Sequence, residues 1–378
     1  MATSFDKKTN ILFPFVGDSV GGSHKSALTL IKFLKSSPEF RTFIVLHKKG
    51  LLSNLLEDEG IPYSTIKSYS LAGERPNFFY NLLSIVINFR LITKFLHSNN
   101  IDIVHGQDLR INLTWSIATK MNKKKYIWHQ RQQLSKSLYW RMIKYFADHF
   151  VTISSNVHKT MPENIDEINK TLINNPFDLS HKYAVEDSRK WIKENYSLAD
   201  FQEIFGYVGR IIDWKNIDKL VIHFSKYLNL SKRKAILLII GTGRKENIIK
   251  LRTLIDSVGL SNRVLLCGFS KEPSKIICGL DLLVSASDNE PFGRTIIEAM
   301  LQRTVVLVAK GGGHSEIVKD GVNGYLFDVD TTNGFAKKAL HVLQSPQTKV
   351  LNTAEIFAKN NFSVENHANL ITKIYKSV

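Results

Sequence analysis

ILFPFVGDSVGG, Ile11 to Gly22, and FQEIFGYVGRI, Phe201 to Ile211, are the two stretches on which the fold turns. Each is an apolar run of strand length that empties into a glycine turn. Each is then followed by an amphipathic helix pattern: SHKSALTLIKFLK, with Ala27, Leu28, Ile31 and Leu34 on one face, and NIDKLVIHFSKYL. Further strand-like runs follow, FRTFIVLH, IDIVH, KKYIWH and HFVTIS after the first, and AILLIIG, RVLLCG, LDLLVSA and TVVLVAK after the second. Continuous apolar strands spaced by helices read as parallel sheets covered on both faces. The chain therefore reads as α/β, two Rossmann-like domains in tandem, with the seam in the polar stretch 174–190 where the strand pattern lapses. Sheets of this kind bind ligands beyond the carboxyl ends of their strands, so two of them facing each other would make a cleft with two half-sites.

Bulk properties agree. A chain of 378 residues is too long for one ordinary core, and 43% hydrophobic with 22% charged residues excludes disorder and fibrous repeats. Cys267 and Cys278 are the only cysteines, with no C-x-x-C pair and no histidine at ligand spacing, which fits a reducing compartment and no zinc site. The N-terminal MATSFDKKTN leads straight into a strand, so no secretory signal is expected. The most apolar segment, Asn77 to Leu96, is interrupted by Asn81, Asn88, Arg90 and Lys94 and is too polar to span a bilayer.

The formal charge is +17, spread as 23 basic against 14 acidic residues in 1–180 and 28 against 20 in the rest, so no basic tail accounts for it. Lys120 to Lys144 is the exception, with eight basic residues, no acid, and Tyr126, Trp128, Tyr139 and Trp140 among them. Two readings stay open for it: a surface for nucleic acid, anionic membrane or a phosphate-bearing substrate, or a solvated helix face with core aromatics.

The first glycine turn, with Gly17, Gly21 and Gly22, lacks the G-x-G-x-x-G of dinucleotide sites, and the second strand ends in His47-Lys48-Lys49 where a ribose-binding acid would stand. No Walker-type motif is present. Gly21-Gly22 before Ser23, an expected N-cap, lets backbone approach a phosphate at a helix start, or simply makes a tight turn. In GRIIDWKN, Arg210 and Lys215 lie between strand and helix, where a guanidinium and an ammonium could converge on a diphosphate and stabilise it as a leaving group without a metal, or stand exposed on a surface loop. In DNEPFGRTIIEAM, Asp288 to Met300, the Pro-Phe-Gly turn sets the helix start near Gly293 or Arg294, leaving Glu290 in the loop and Glu298 in the second helical turn.

The succession GG before a helix, KYIWHQ, LINNPFD, GRIIDWKN, IGTG, VLLCGF, LDLLVSASDNEPFGRTIIEAM and GGGHSEIVKDGVNGYLF resembles the retaining glycosyltransferases of the GT-B fold, family 4 (glycosyl transferases group 1), from about Ile11 to Tyr325. The resemblance implies an N-terminal acceptor domain, 1–178, with a C-terminal helix, 362–378, packing back on it, and a donor domain, 179–361. It implies a nucleotide-diphosphate sugar, of UDP or GDP, held by Arg210 and Lys215 at the diphosphate and Glu298 at the ribose. Glu290 with the amides of Phe292 and Gly293 would hold the sugar, and Gly22 would lie against the phosphates. His129 matches the histidine placed near the anomeric carbon, and its burial in the first domain's core would make the mechanism drawn with it wrong. His105, in DIVHGQD, is expected to line the cleft or cap the next turn. Departures stand at Asn216, where the family most often has glycine, at Arg294, and at Gly313-His314 before Glu316.

Transfer from such a donor develops positive charge on the sugar and negative charge on the phosphate, and the resemblance favours a front-face route in which the leaving phosphate takes the acceptor's proton. Neither a cofactor nor a metal is implied. Asp328-Val329-Asp330, which spells a metal-binding D-x-D, is read as a turn. The expectation is a cytoplasmic enzyme, peripheral on the inner face of the membrane through 120–144, that extends a glycan or lipid-linked glycan in bacterial surface polysaccharide synthesis and binds no nucleic acid. Two rivals are kept: a nucleotide-sugar epimerase or hydrolase of the same fold, and a basic membrane or nucleic-acid binding protein with a degenerate sugar site.

Overall fold

Hydrogen bonding of the expected strands produces two separate sheets in a computed structural model that describes residues 8–68, 78–180, 182–198 and 200–378. Among the features named above, residues 1–7, Asn77, His181 and the side chains of Asn81 and Tyr139 lie outside the described residues. Contacts divide the chain into a first unit, 1–177 with 364–378, and a second, 178–363.

The first sheet is parallel throughout and contains β1 (Thr9–Phe15), β2 (Phe40–Leu46), β3 (Ser64–Thr65), β4 (Ile103–Gly106), β5 (Lys125–Gln130), β6 (His149–Thr152) and β7 (Lys170–Leu172). Their order is β3-β2-β1-β4-β5-β6-β7. Because strand side chains alternate, β1 feeds both faces: Ile11, Phe13 and Phe15 enter one core cluster and Leu12 the other. Ala27, Leu28, Ile31 and Leu34 of the helix Gly22–Lys35 cover the first of these faces, as their spacing predicts. The C-terminal helix Val364–Ser377 adds Ala368, Ile371, Ile374 and Tyr375 to that cluster. Two short edge strands, β3 and β7, have no apolar run and are not among the strands read from the sequence.

The second sheet, also parallel, holds β8 (Glu203–Val208), β9 (Ala235–Ile240), β10 (Val264–Gly268), β11 (Leu282–Ser285), β12 (Val306–Ala309) and β13 (Tyr325–Phe327), ordered β10-β9-β8-β11-β12-β13. The strand order reverses direction between β1 and β4 in the first unit and between β8 and β11 in the second. Such a switch point leaves a crevice beyond the strand ends, which is where ligands bind in open parallel sheets. No helix among the described residues is long and apolar enough to cross a membrane.

One ion cluster fastens the end of the second unit. Glu355, almost buried, accepts from Lys182, from Lys359 at 2.7 Å and from Arg303 at 2.8 Å. Hydrogen bonds from Lys182 and then Lys359 lead the effects that hold its carboxyl at about 2, against an ordinary 4.5. A depressed carboxylate stabilises the fold above its unfolded pKa, and that contribution is lost as pH falls through the folded value. Glu355→Gln should therefore lower the unfolding midpoint at neutral pH, by about 2 kcal/mol in stability, since it leaves three cations facing one another. Midpoints of the two proteins measured from pH 6 downward should converge between about 4.5 and 2. A gap that stays constant to pH 2 would refute this account.

Candidate active site

The crevice of the second unit is built from two loops. After β8, Gly209–Ile211 continues the parallel ladder, with Ile211 N–H donating to the Thr242 carbonyl at 2.8 Å. The close approach is possible because Gly241, at φ +145°, has no side chain: a Cβ there would lie 1.8 Å from the Gly209 carbonyl oxygen. Tyr207, buried, donates its hydroxyl to the Arg210 carbonyl at 2.9 Å, and its phenol pKa is raised, chiefly by burial. Arg210 itself is exposed and Lys215 follows in a short 3-10 turn, Asp213–Lys215.

The chain then reverses at Asn216, whose φ of 51° and ψ of 41° lie in the left-handed region. That conformation explains a family preference for glycine, and asparagine is among the residues that tolerate it. Here the side chain adds something glycine cannot: Nδ2 donates to the Ala286 carbonyl at 3.1 Å and Asp288 Oδ1 at 3.3 Å, tying the lysine loop to the loop after β11.

That second loop carries Glu290. Lys215 Nζ donates to Glu290 Oε2 at 2.5 Å, and the two side chains are only 15% and 12% exposed. Burial pulls the lysine below its ordinary pKa, while the carboxylate pulls the other way. Phe292 is buried, and Gly293, at φ +103°, is the N-cap of the helix Arg294–Leu301. The helix thus starts where the Pro-Phe-Gly turn predicts, with Glu290 before it and Glu298 in its second turn. Arg294 Nη2 sits 3.6 Å from Glu298 Oε1, and burial lowers the guanidinium's pKa without discharging it.

Three glycines after β12 support this loop, a role the sequence reading did not assign them. Cβ atoms at Gly311, Gly312 and Gly313 would fall 2.0 Å from the Asp288 oxygen, 2.6 Å from the Glu290 oxygen and 2.4 Å from the Phe292 oxygen. Gly313 N–H donates to the Glu290 carbonyl at 2.6 Å. His314 donates from Nδ1 to the Ala309 carbonyl at 3.2 Å, and burial pushes its pKa down to about 4, so the imidazole beside Glu290 is neutral. Asp328-Val329-Asp330 is a turn, closed by Asp330 N–H donating to Asp328 Oδ1 at 3.0 Å.

In the first unit, Gly22 is the exposed first residue of its helix. The N-cap is Gly21 rather than Ser23, because His24 accepts the Gly21 N–H on Nδ1 at 3.1 Å and so provides the side-chain half of a capping box. The turn ahead of it is braced by Asp18, which accepts both Arg110 nitrogens at 2.8 and 3.1 Å and has its carboxyl held at about 2, mainly by that bond. Aspartate 92 residues from its arginine gives no local sequence signal.

His129 and His105 need correction. His129, on β5, has no exposed surface and lies between the rings of His105 and His367, at 5.3 and 6.3 Å. Burial drives its pKa well below the ordinary value. An imidazole so enclosed does not present itself to a sugar. His105 neither lines a surface nor caps a turn; it bonds Tyr375 Oη at 2.6 Å and His129 Nδ1 at 3.1 Å, fastening the C-terminal helix to the sheet. Each is the last residue but one of its strand, and the sequence order hides that the C-terminal helix covers them, with Tyr375 against His105 and His367 against His129.

Two parallel-sheet units of this strand order define the GT-B fold. The chain matches the crystal structure of Anabaena HepE in complex with UDP and glucose at a TM-score of 0.83 and 22% identity, over 97% of this chain and 99% of that one. Residues 188–363 match the family model for glycosyl transferases group 1, which makes the second unit a domain of that family. Similar curated proteins include the poly(ribitol-phosphate) alpha-N-acetylglucosaminyltransferase of Staphylococcus aureus, 26% identical over 53% of this chain and 39% of that protein. The N-acetyl-alpha-D-glucosaminyl L-malate synthase of Bacillus anthracis is 25% identical over 41% and 40%. The lipopolysaccharide core biosynthesis glycosyltransferase LpsE of Rhizobium meliloti is 28% identical over 34% and 36%. The matched region thus spans well under half the length of these relatives.

Proposed function

We propose that the chain transfers a sugar, with retention, from a nucleotide diphosphate to a glycan or lipid-linked glycan at the cytoplasmic face of a membrane, in bacterial surface polysaccharide synthesis. The observation that carries the reading is the Lys215–Glu290 pair beside Arg210, at the switch point of a group 1 domain. The two cations offset charge on the departing diphosphate, Glu290 faces charge developing on the sugar, and Glu298 takes the ribose. The acceptor oxygen bonds to the anomeric carbon, the bond to the phosphate oxygen breaks, and the acceptor's proton passes to that oxygen. In this reading Arg210, Lys215 and the amides of Phe292 and Gly293 serve the diphosphate and the sugar, and no metal is called for. His129 is given no contact with the donor. The relatives' names, which include poly(ribitol-phosphate) and lipopolysaccharide core, support an acceptor in a surface polymer.

Thermal-shift titration with UDP-, GDP-, ADP- and CMP-sugars tests the donor. One family of nucleotides should raise the midpoint, because a ligand bound only to the folded state stabilises it by mass action. UDP-sugars come first, since HepE was crystallised with UDP. No shift with any donor sinks the reading, and consumption of donor without any acceptor replaces it with an epimerase or hydrolase.

A further inference from the structure

The crossover from β5 to β6 passes through a 3-10 helix, Leu138–Tyr145 (LYWRMIKY). With three residues per turn, side chains three apart eclipse, so the segment presents three rows. One row packs inward: Ile143 is fully buried, and Trp140 and, just beyond the helix, Phe146 lie against the core. The second row is Leu138, Arg141 and Lys144, and the third carries Met142 and Tyr145. Leu138 is 78% exposed, Met142 52% and Tyr145 61%. Lys136 and Arg141 are exposed, and Lys144 Nζ lies 4.8 Å from the Tyr145 ring centroid.

This divides the basic, aromatic stretch 120–144 into two kinds of residue. Tyr126 and Trp128 are core, Arg131 is buried, and Lys120 and Lys125 reach Asp148 at 2.7 and 3.5 Å. Lys123 and Lys124 lie ahead of β5, apart from the 3-10 helix; along 136–145 the outward surface is one on which large apolar side chains alternate with cations, and Lys120 to Lys144 contains no acid. The apolar groups need somewhere out of water and the cations need anions. Duplex nucleic acid meets only the second need. An anionic bilayer meets both, because apolar side chains enter the boundary between headgroups and acyl chains while lysine and arginine stay at the phosphates. The crossover leaves β5 after Gln130, at the carboxyl end of that strand, and reaches Leu138 before it enters β6 at His149.

We propose that Leu138–Tyr145 docks the first unit on an anionic lipid bilayer. The inference deepens the reading above, since it supplies the surface that would meet a lipid-linked acceptor. Vesicle binding needs neither donor nor acceptor, so its failure leaves sugar transfer standing.

The test is sedimentation of the full chain with phosphatidylglycerol-containing vesicles and with pure phosphatidylcholine vesicles. The wild type should bind the anionic vesicles, more weakly as salt rises. Leu138→Ser with Met142→Ser, and separately Lys136→Glu with Arg141→Glu, should each weaken that binding at least about tenfold at an unchanged unfolding midpoint. Hydrogen exchange on the wild type should slow across 138–145 when anionic vesicles are added, a measurement independent of any variant. Equal binding by wild type and variants, equal binding to both kinds of vesicle, unchanged exchange at 138–145, or preference for duplex RNA over vesicles overturns the proposal.

Discussion

Glu290→Gln should abolish sugar transfer and at the same time tighten binding of the bare nucleotide diphosphate. The two effects follow from one contact. With Lys215 Nζ 2.5 Å from Glu290 Oε2, and both side chains largely out of water, an arriving diphosphate must compete with a carboxylate for the ammonium. Glutamine keeps the shape and removes the charge, so Lys215 turns wholly to the phosphate and Kd for the diphosphate should fall by about three- to tenfold, or roughly 1 kcal/mol. On the function proposed above, transfer should fall by at least about a hundredfold, because the sugar would lose the carboxylate that faces its developing positive charge. Lys215→Gln should weaken diphosphate binding and transfer together. Calorimetric titration beside a transfer assay separates the cases. Weaker diphosphate binding in Glu290→Gln would show that the pair is a structural brace rather than two halves of a donor site.

Part of this was legible before any coordinates. Strand runs and helix faces reveal the inner strands of both sheets but not the edge strands β3 and β7, because a strand buried on both sides must be apolar throughout and a covering helix must be apolar on one side. The start of the helix at Arg294 was readable too, since Pro291 and Gly293 leave few alternatives. Three features were not. Asp18 and Arg110 meet only through the fold. Gly311-Gly312-Gly313 carries no chemistry of its own and acquires meaning only when the Asp288–Phe292 backbone lies against it. His129 looks like a strand-end ligand until the C-terminal helix places His367 over it. Chemistry set by neighbours in sequence was readable, and chemistry set by what packs on top was not.

Gly313→Ala should accordingly be among the most damaging single-methyl changes in the second unit. The added Cβ would lie 2.4 Å from the Phe292 oxygen and 2.6 Å from its Cα, both backbone atoms that cannot swing aside. Something must shift, and the piece in the way is the turn that carries Glu290 and the Phe292 and Gly293 amides. Overpacking of this kind costs about 1–3 kcal/mol, and moving Glu290 away from Lys215 should raise the donor's KM more than about tenfold. Gly321→Ala is the matched control. Gly321 has a φ of +74° with nothing within 4 Å of its Cβ position, so alanine there meets backbone strain of about 1 kcal/mol and no neighbour. Both variants should melt earlier than the wild type, but only Gly313→Ala should lose donor affinity. If the two differ in melting temperature alone, the glycine run supports the fold without shaping the site, and the position of Glu290 depends on the Lys215 and Asn216 contacts instead.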